Sequence, residues 1–217
     1  VEPIGWRGIL GVVAAFTGLL VVMVLLWVPE SLPAERRHDG GLRILLDGTR
    51  ELARDHVLVR LLFINALSFG LLMAYLSAAP FVLRNVLGMG TVVYTAVFGL
   101  CGATVTVTIA VAASLVRRFS QARQVRVGLI AVLVVDTVFA AVCLMWLREP
   151  VTGPERMPLL VAVVALFLAH VACLGLAMGN APALALDRTG RWAGTGSALL
   201  GFLQFVVGGL VSPLVGL

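Results

Sequence analysis

Six times along the chain, twenty or more residues pass with scarcely a charge: Gly8 to Val28, about Val57 to Leu83, about Thr91 to Val116, Val127 to Leu147, Leu159 to Leu186, and Ala193 to Leu217. At 1.5 Å per residue each is long enough, as a helix, to cross a hydrocarbon core of about 30 Å. A spanning barrel would instead show alternating segments of about ten residues, so the pattern predicts six transmembrane helices joined by five short loops. The one extended polar interval, residues 29–60, opens with Pro29 and Pro33 among charges, which stop the first helix. Within it Leu42, Leu45, Leu46, Leu52 and Ala53 recur at helical spacing between Arg43, Asp47, Arg50, Glu51 and Arg54. That spacing predicts a short amphipathic helix lying on the membrane face, a charged face of the usual solvated kind.

The last run carries its polarity on one line. At 100° per residue Ser197, Gly201, Gln204 and Gly208 fall within about 60° of one another, so this helix presents a notched polar stripe to a cavity or to a tight helix seam. Gly201, Gly208 and Gly209 are expected at close-packing or hinge positions. In the second run Asn65, Ser68 and Tyr75 fall within about 80°. They supply an amide, a hydroxyl and an aromatic face to a cavity, or else they join neighbouring helices. Thr104, Thr106 and Thr108 alternate, cannot share one face, and are read as structural.

Composition sharpens the class. The chain is 60% hydrophobic and 12% charged with a mean hydropathy of +1.06, well beyond the roughly 45–50% apolar of a soluble domain. Its partner is the lipid bilayer, and six spans in 217 residues leave no room for a separate soluble domain. All sixteen basic residues are arginines, and their placement at the ends of apolar runs argues for orientation rather than nucleic-acid binding. The loops 29–60, 117–126 and 187–192 hold twelve of them, and the opposite side holds Arg7, Arg84, Arg148 and Arg156. The positive-inside rule then puts the twelve in the cytoplasm and both ends of the sequence outside.

Two ionisable residues lie deep in these runs. Asp136 is nine residues from one end of its span and His170 eleven from the opposite end of the next, about 13.5 and 16.5 Å in, which is nearly the same depth. A facing pair at that level could hold or relay a proton, or form a structural contact. Cys101, Cys143 and Cys173 sit in three different runs without a second ligand at metal spacing, so they read as packing residues. No paired acid, HExxH, Cys–His cluster, dinucleotide fingerprint or P-loop is present, which argues against an enzyme and against an ATP-driven pump. The chain begins Val1-Glu2-Pro3 rather than with Met, which suggests a fragment.

Five motifs in order carry a resemblance: Gly5-Trp6-Arg7 before the helix that ends in PESLPAERR, AAPFVL at Ala78–Leu83, VRRF at Val116–Phe119, GNAPALAL at Gly179–Leu186, and the tail AGTGSALLGFLQF…LVSPLVGL. Together they resemble the Bcr/CflA, or bicyclomycin-resistance, type of drug:proton antiporter in the major facilitator superfamily. The resemblance implies a multi-pass protein of a bacterial inner membrane that exports small amphiphilic molecules in exchange for protons, using the proton motive force and no cofactor. The six runs would correspond to helices six to eleven of twelve. Residues 1–28 are then the last helix of the amino-terminal half, 29–56 the cytoplasmic connector, and 57–217 most of the carboxy-terminal half. Its partners would be a missing amino-terminal half, the small-molecule substrate and protons.

The resemblance puts the substrate site between the two halves, and the helix faces make Asn65, Ser68, Tyr75, Ser197 and Gln204 the cavity candidates there; the ninth helix of the family, which would carry Asp136, is a peripheral brace. The usual coupling acid would lie in the missing half. Two departures stand out: Gly179-Asn180-Ala181 with Pro182 where the family has Pro-Asn-Ala, so that a helix break is expected but displaced, and Cys101 where Asn is frequent, with loss of a cavity hydrogen bond. The other reading is a non-transporting or degenerate six-helix scaffold acting as an oligomer.

Overall fold

The computed structural model describes residues 5–29, 41–146 and 156–215, and the chain forms two units, residues 1–41 and 42–217. In the first unit, α1 (Gly5–Trp27) is a single helix with apolar side chains on every face and Thr17 Oγ1 bonded back to the Val13 carbonyl at 2.9 Å. The expected PESLPAERR stop lies, from Glu30 on, outside the described residues.

The second unit holds α2 (Leu42–Leu52), α3 (His56–Pro80) continued by a π-helical segment (Phe81–Val86), α4 (Thr91–Leu115), α5 (Gln121–Trp146), α6 (Arg156–Leu186), a 3-10 turn (Gly190–Trp192) and α7 (Ala193–Val215). With α1, six helices are long and apolar enough to cross a membrane. The described residues contain no strand, so the fold is an all-α transmembrane bundle.

Helix ends depart from the apolar runs for physical reasons. Helix α5 starts six residues before Val127, because Ser120 caps it through the Arg123 N–H and the ends of membrane helices carry charge in the headgroup layer. At Pro80 the chain lacks an N–H, and the wider π register that follows accommodates the loss without breaking the rod. The turn into α4 uses Gly88 at φ 60°. The break expected near Pro182 is absent. Helix α6 runs unbroken through it, and Asn180 Nδ2 donates to the Leu176 carbonyl at 2.9 Å one turn back.

Helices α3 and α6 are the centre of this unit, with 33% of each span buried against 11% for α4, α5 and α7. They run antiparallel and touch each other. Each has a parallel neighbour, α7 along α3 and α4 along α6, and α5 packs antiparallel on α6. Lipid is as apolar as a protein core, so cohesion here comes from close approach and interhelical polar contacts rather than from hydrophobic burial. The α3–α7 seam shows both. A Cβ on Gly208 would lie 2.9 Å from Met73 Cγ and Phe69 Cε1, and one on Gly70 2.8 Å from Val207 Cγ1. Among the described residues, an added Cβ at Gly201 or Gly209 meets nothing within 4 Å, so of the expected close-packing or hinge glycines of α7 only Gly208 packs within this unit.

Helix α2 stands where the leucine spacing predicts it, but its buried residues are Gly48 and Leu52. Leu42, Leu45 and Leu46 remain exposed. Gly48 sits against Trp192 and Thr195, where an added Cβ would be 2.7 Å from the indole Cε3. Thus α2 docks on the turn that leads into α7.

Candidate functional site

The strongest cluster of polar and aromatic groups forms where α3, α5 and α6 meet. Helices α5 and α6 are antiparallel, so one turn forward on one meets one turn back on the other. Asp136 therefore faces His170, Oδ1 to Nδ1 at 2.6 Å, and Phe139 faces Phe167 edge-on at 4.8 Å between ring centroids. The side chain of His170 is 8% exposed and that of Asp136 31%. The structure thus brings together the two ionisable residues matched by depth.

Tyr75 of α3 closes the cluster. Its ring lies 5.3 Å from Phe167, 6.0 Å from His170 and 6.1 Å from Phe98 of α4, and Cys101 is buried in the same apolar cluster. A cavity of about 300 Å³ opens beside this group, lined by Leu71, Ala74, Tyr75, Asp136, Phe139 and His170 among others. The His170 Nε2 is buried without a hydrogen-bond partner among the described residues.

The other candidates divide. Asn65 Nδ2 donates to Gln204 Oε1 at 3.1 Å, and further along the same parallel seam the hydroxyls of Ser77 and Ser212 are 2.8 Å apart. Asn65 and Ser68 are buried, and the Ser68 hydroxyl has no partner among the described residues. Gln204 is half-buried and Ser197 exposed. Thr104 and Thr106 bond back to the carbonyls of Leu100 and Gly102 at 2.8 and 3.0 Å, in keeping with a structural role.

Sequence reasoning missed the aromatic partners. Phe139 lies three residues after Asp136, and Phe167 three before His170, so each adjoins its polar residue on one helix face. That spacing was the available signal. It also missed the buried Gln124–Asn180 bond of 3.3 Å between α5 and α6, for which no local pattern exists.

At the other end of the unit, two ion pairs fasten α2 and the start of α3 to the α6–α7 turn. Arg191 Nη2 is 2.6 Å from Glu51 Oε2, and Arg188 Nε is 2.8 Å from Asp55 Oδ2. Asp55 also caps α3, accepting from the Val57 and Leu58 N–H groups at 2.9 and 3.1 Å. The Arg191 guanidinium, and after it the Trp192 indole, hold the Glu51 carboxyl below its ordinary range. Arg188, and after it the Leu58 N–H, do the same for Asp55.

Comparison with known proteins fits this bundle. The sequence profile described as Major Facilitator Superfamily matches residues 1–213. An uncharacterised MFS-type transporter of Bacillus subtilis strain 168, YdgK, is 27% identical over 212 residues, which is 98% of this chain and 50% of that protein. The chain therefore spans about half the length of the curated relative it matches. No solved structure matches it. With the profile matching from the first residue to within a few of the last, over six apolar helices, the chain is a multi-pass membrane protein that belongs to the major facilitator superfamily.

Proposed function

We propose that this chain works as part of a secondary transporter that exports small amphiphilic molecules in exchange for protons, as in the Bcr/CflA type, from a bacterial inner membrane. The observation that carries this reading is the family match along residues 1–213. The five Bcr/CflA-like motifs support the drug:proton subtype. The chain supplies most of the carboxy-terminal half and the helix before it, and the remaining helices complete the path for substrate.

The polar positions suit an amphiphile, which needs an apolar surface with few hydrogen-bonding groups. Gln204 and Ser197 on α7 are the two cavity candidates that a substrate reaches without repacking the bundle. Asn65 orients the Gln204 amide from behind, Ser68 offers an unpaired hydroxyl, and Tyr75 anchors α3 to α4 and α6. The arginine distribution supports a cytoplasmic position for α2 and the 117–126 loop.

Reconstitution of the complete gene product in proteoliposomes tests the reading. Under an imposed pH gradient, candidate amphiphiles should move against the proton flow, with a pH-indicator dye reporting substrate-dependent proton movement. Correctly inserted protein that moves neither substrate nor protons would support the scaffold reading instead.

A further inference from the structure

We propose that Asp136 and His170 form a proton-binding site, in which the His170 Nε2 takes up the proton and the Asp136 carboxylate holds the resulting imidazolium. The contact at 2.6 Å joins Asp136 Oδ1 to His170 Nδ1. With Asp136 ionised, its carboxylate only accepts, so Nδ1 carries the hydrogen and the neutral ring presents its lone pair at Nε2. That atom is buried, has no partner among the described residues, and belongs to a residue lining the 300 Å³ cavity.

The charge balance favours uptake. With Nε2 bare, the pair carries one net negative charge inside a membrane span. With Nε2 protonated, it is a neutral ion pair at charge-assisted hydrogen-bond distance, and lipid penalises an uncompensated charge. The Tyr75 ring lies 6.0 Å away, tilted by 36° to the imidazole.

The surroundings leave this charge to the pair itself. Among the described residues, the titratable groups nearby are Tyr75 from α3, Cys143 on α5, Cys173 on α6, and Cys101 of α4 in the same cluster as Tyr75. Among those residues the cavity lining holds no arginine, and α7 contributes Val215 to it. A space of about 300 Å³ admits several waters at about 30 Å³ each. Water in that space would bring protons to the residues that line it, His170 and Asp136 among them.

As the source of the antiported proton, the site rests on the transporter reading above. Its occupancy can be read without transport. The complete protein, labelled with 15N-histidine in lipid nanodiscs, gives histidine signals among which those lost in His170→Gln belong to His170. We expect His170 to pass between singly and doubly protonated rings within pH 5–9 in the unmodified protein. Asp136→Asn should keep it singly protonated throughout, and Asp136→Glu should restore the doubly protonated form. A ring that stays singly protonated in the unmodified protein, or a doubly protonated ring that persists in Asp136→Asn, overturns the proposal. If Asp136→Asn does not fold, the titration of the unmodified protein and of Asp136→Glu decides. Substrate flux without proton movement would defeat the antiport reading and leave the titration result standing.

Discussion

Replacing Gly208 by Ala separates packing from helix propensity on one face of α7. Alanine in place of glycine in a helix interior gains about 1 kcal/mol from propensity. At Gly208 the new Cβ would sit 2.9 Å from Met73 Cγ and 2.9 Å from Phe69 Cε1. Met73 can bend away, but the Phe69 ring is held edge-on against Phe205 at 5.4 Å, so the seam must open. Overpacking of this kind costs about 1–3 kcal/mol, which leaves Gly208→Ala between neutral and about 2 kcal/mol less stable once the propensity gain is subtracted. Gly201→Ala meets nothing within 4 Å, so it should show the gain alone. The two variants should therefore differ by about 1–3 kcal/mol in reversible unfolding in bicelles, with Gly209→Ala behaving like Gly201→Ala. Equal stabilities within about 0.5 kcal/mol, the spread of neutral substitutions, would refute the close approach of α7 to α3.

Three further outcomes are expected. A double-mutant cycle on Asn65→Leu and Gln204→Leu should return a coupling near 0.6 kcal/mol and below about 1.7, the range for such bonds in membranes; strict additivity would mean that the amides do not meet. Carboxyls held below their ordinary range stabilise the fold above their unfolded pKa values of about 4 and cease to as pH falls through the lowered folded values. The docking of α2 on Trp192, followed by the fluorescence of a chain with Trp192 as its single tryptophan, should thus be constant from pH 8 to 5 and be lost only at more acid pH, and loss near pH 6 would exclude the two ion pairs as its cause. In a cysteine-free background Ser120→Cys should react with an impermeant maleimide only from the cytoplasm and Gly90→Cys only from outside, and labelling of both from one side would overturn the orientation.

What the sequence made legible was whatever depends on one helix at a time. Apolar run length located the spans, and counting rise per residue matched Asp136 to His170 in depth. What it hid depends on which helix faces which. The stripe from Ser197 to Gly208 was visible, yet nothing local says that Gln204 meets Asn65 while Gly201 meets nothing. Helix ends escaped for a related reason. Hydropathy marks the hydrocarbon boundary, whereas α5 begins at a Ser120 cap outside it and α3 passes through Pro80 on a π turn that costs no apolar residue. The motif around Pro182 misled because a proline predicts a lost hydrogen bond, and α6, packed against α3, α4 and α5, stays continuous through it.

The pairing of α3 with α7 has a consequence for biosynthesis. The partners Asn65 and Gln204 are 139 residues apart, and ribosomes add about 5–20 residues each second. Helix α3 therefore waits about 7–28 s in the bilayer before its partner is made. Throughout that interval Asn65 and Ser77 lack the groups that will satisfy them, while α4, α5 and α6 emerge in turn with hydroxyls and amides of their own. The slot along α3 must therefore stay open to α7 while three other helices are made, so the order of synthesis works against the α3–α7 pairing.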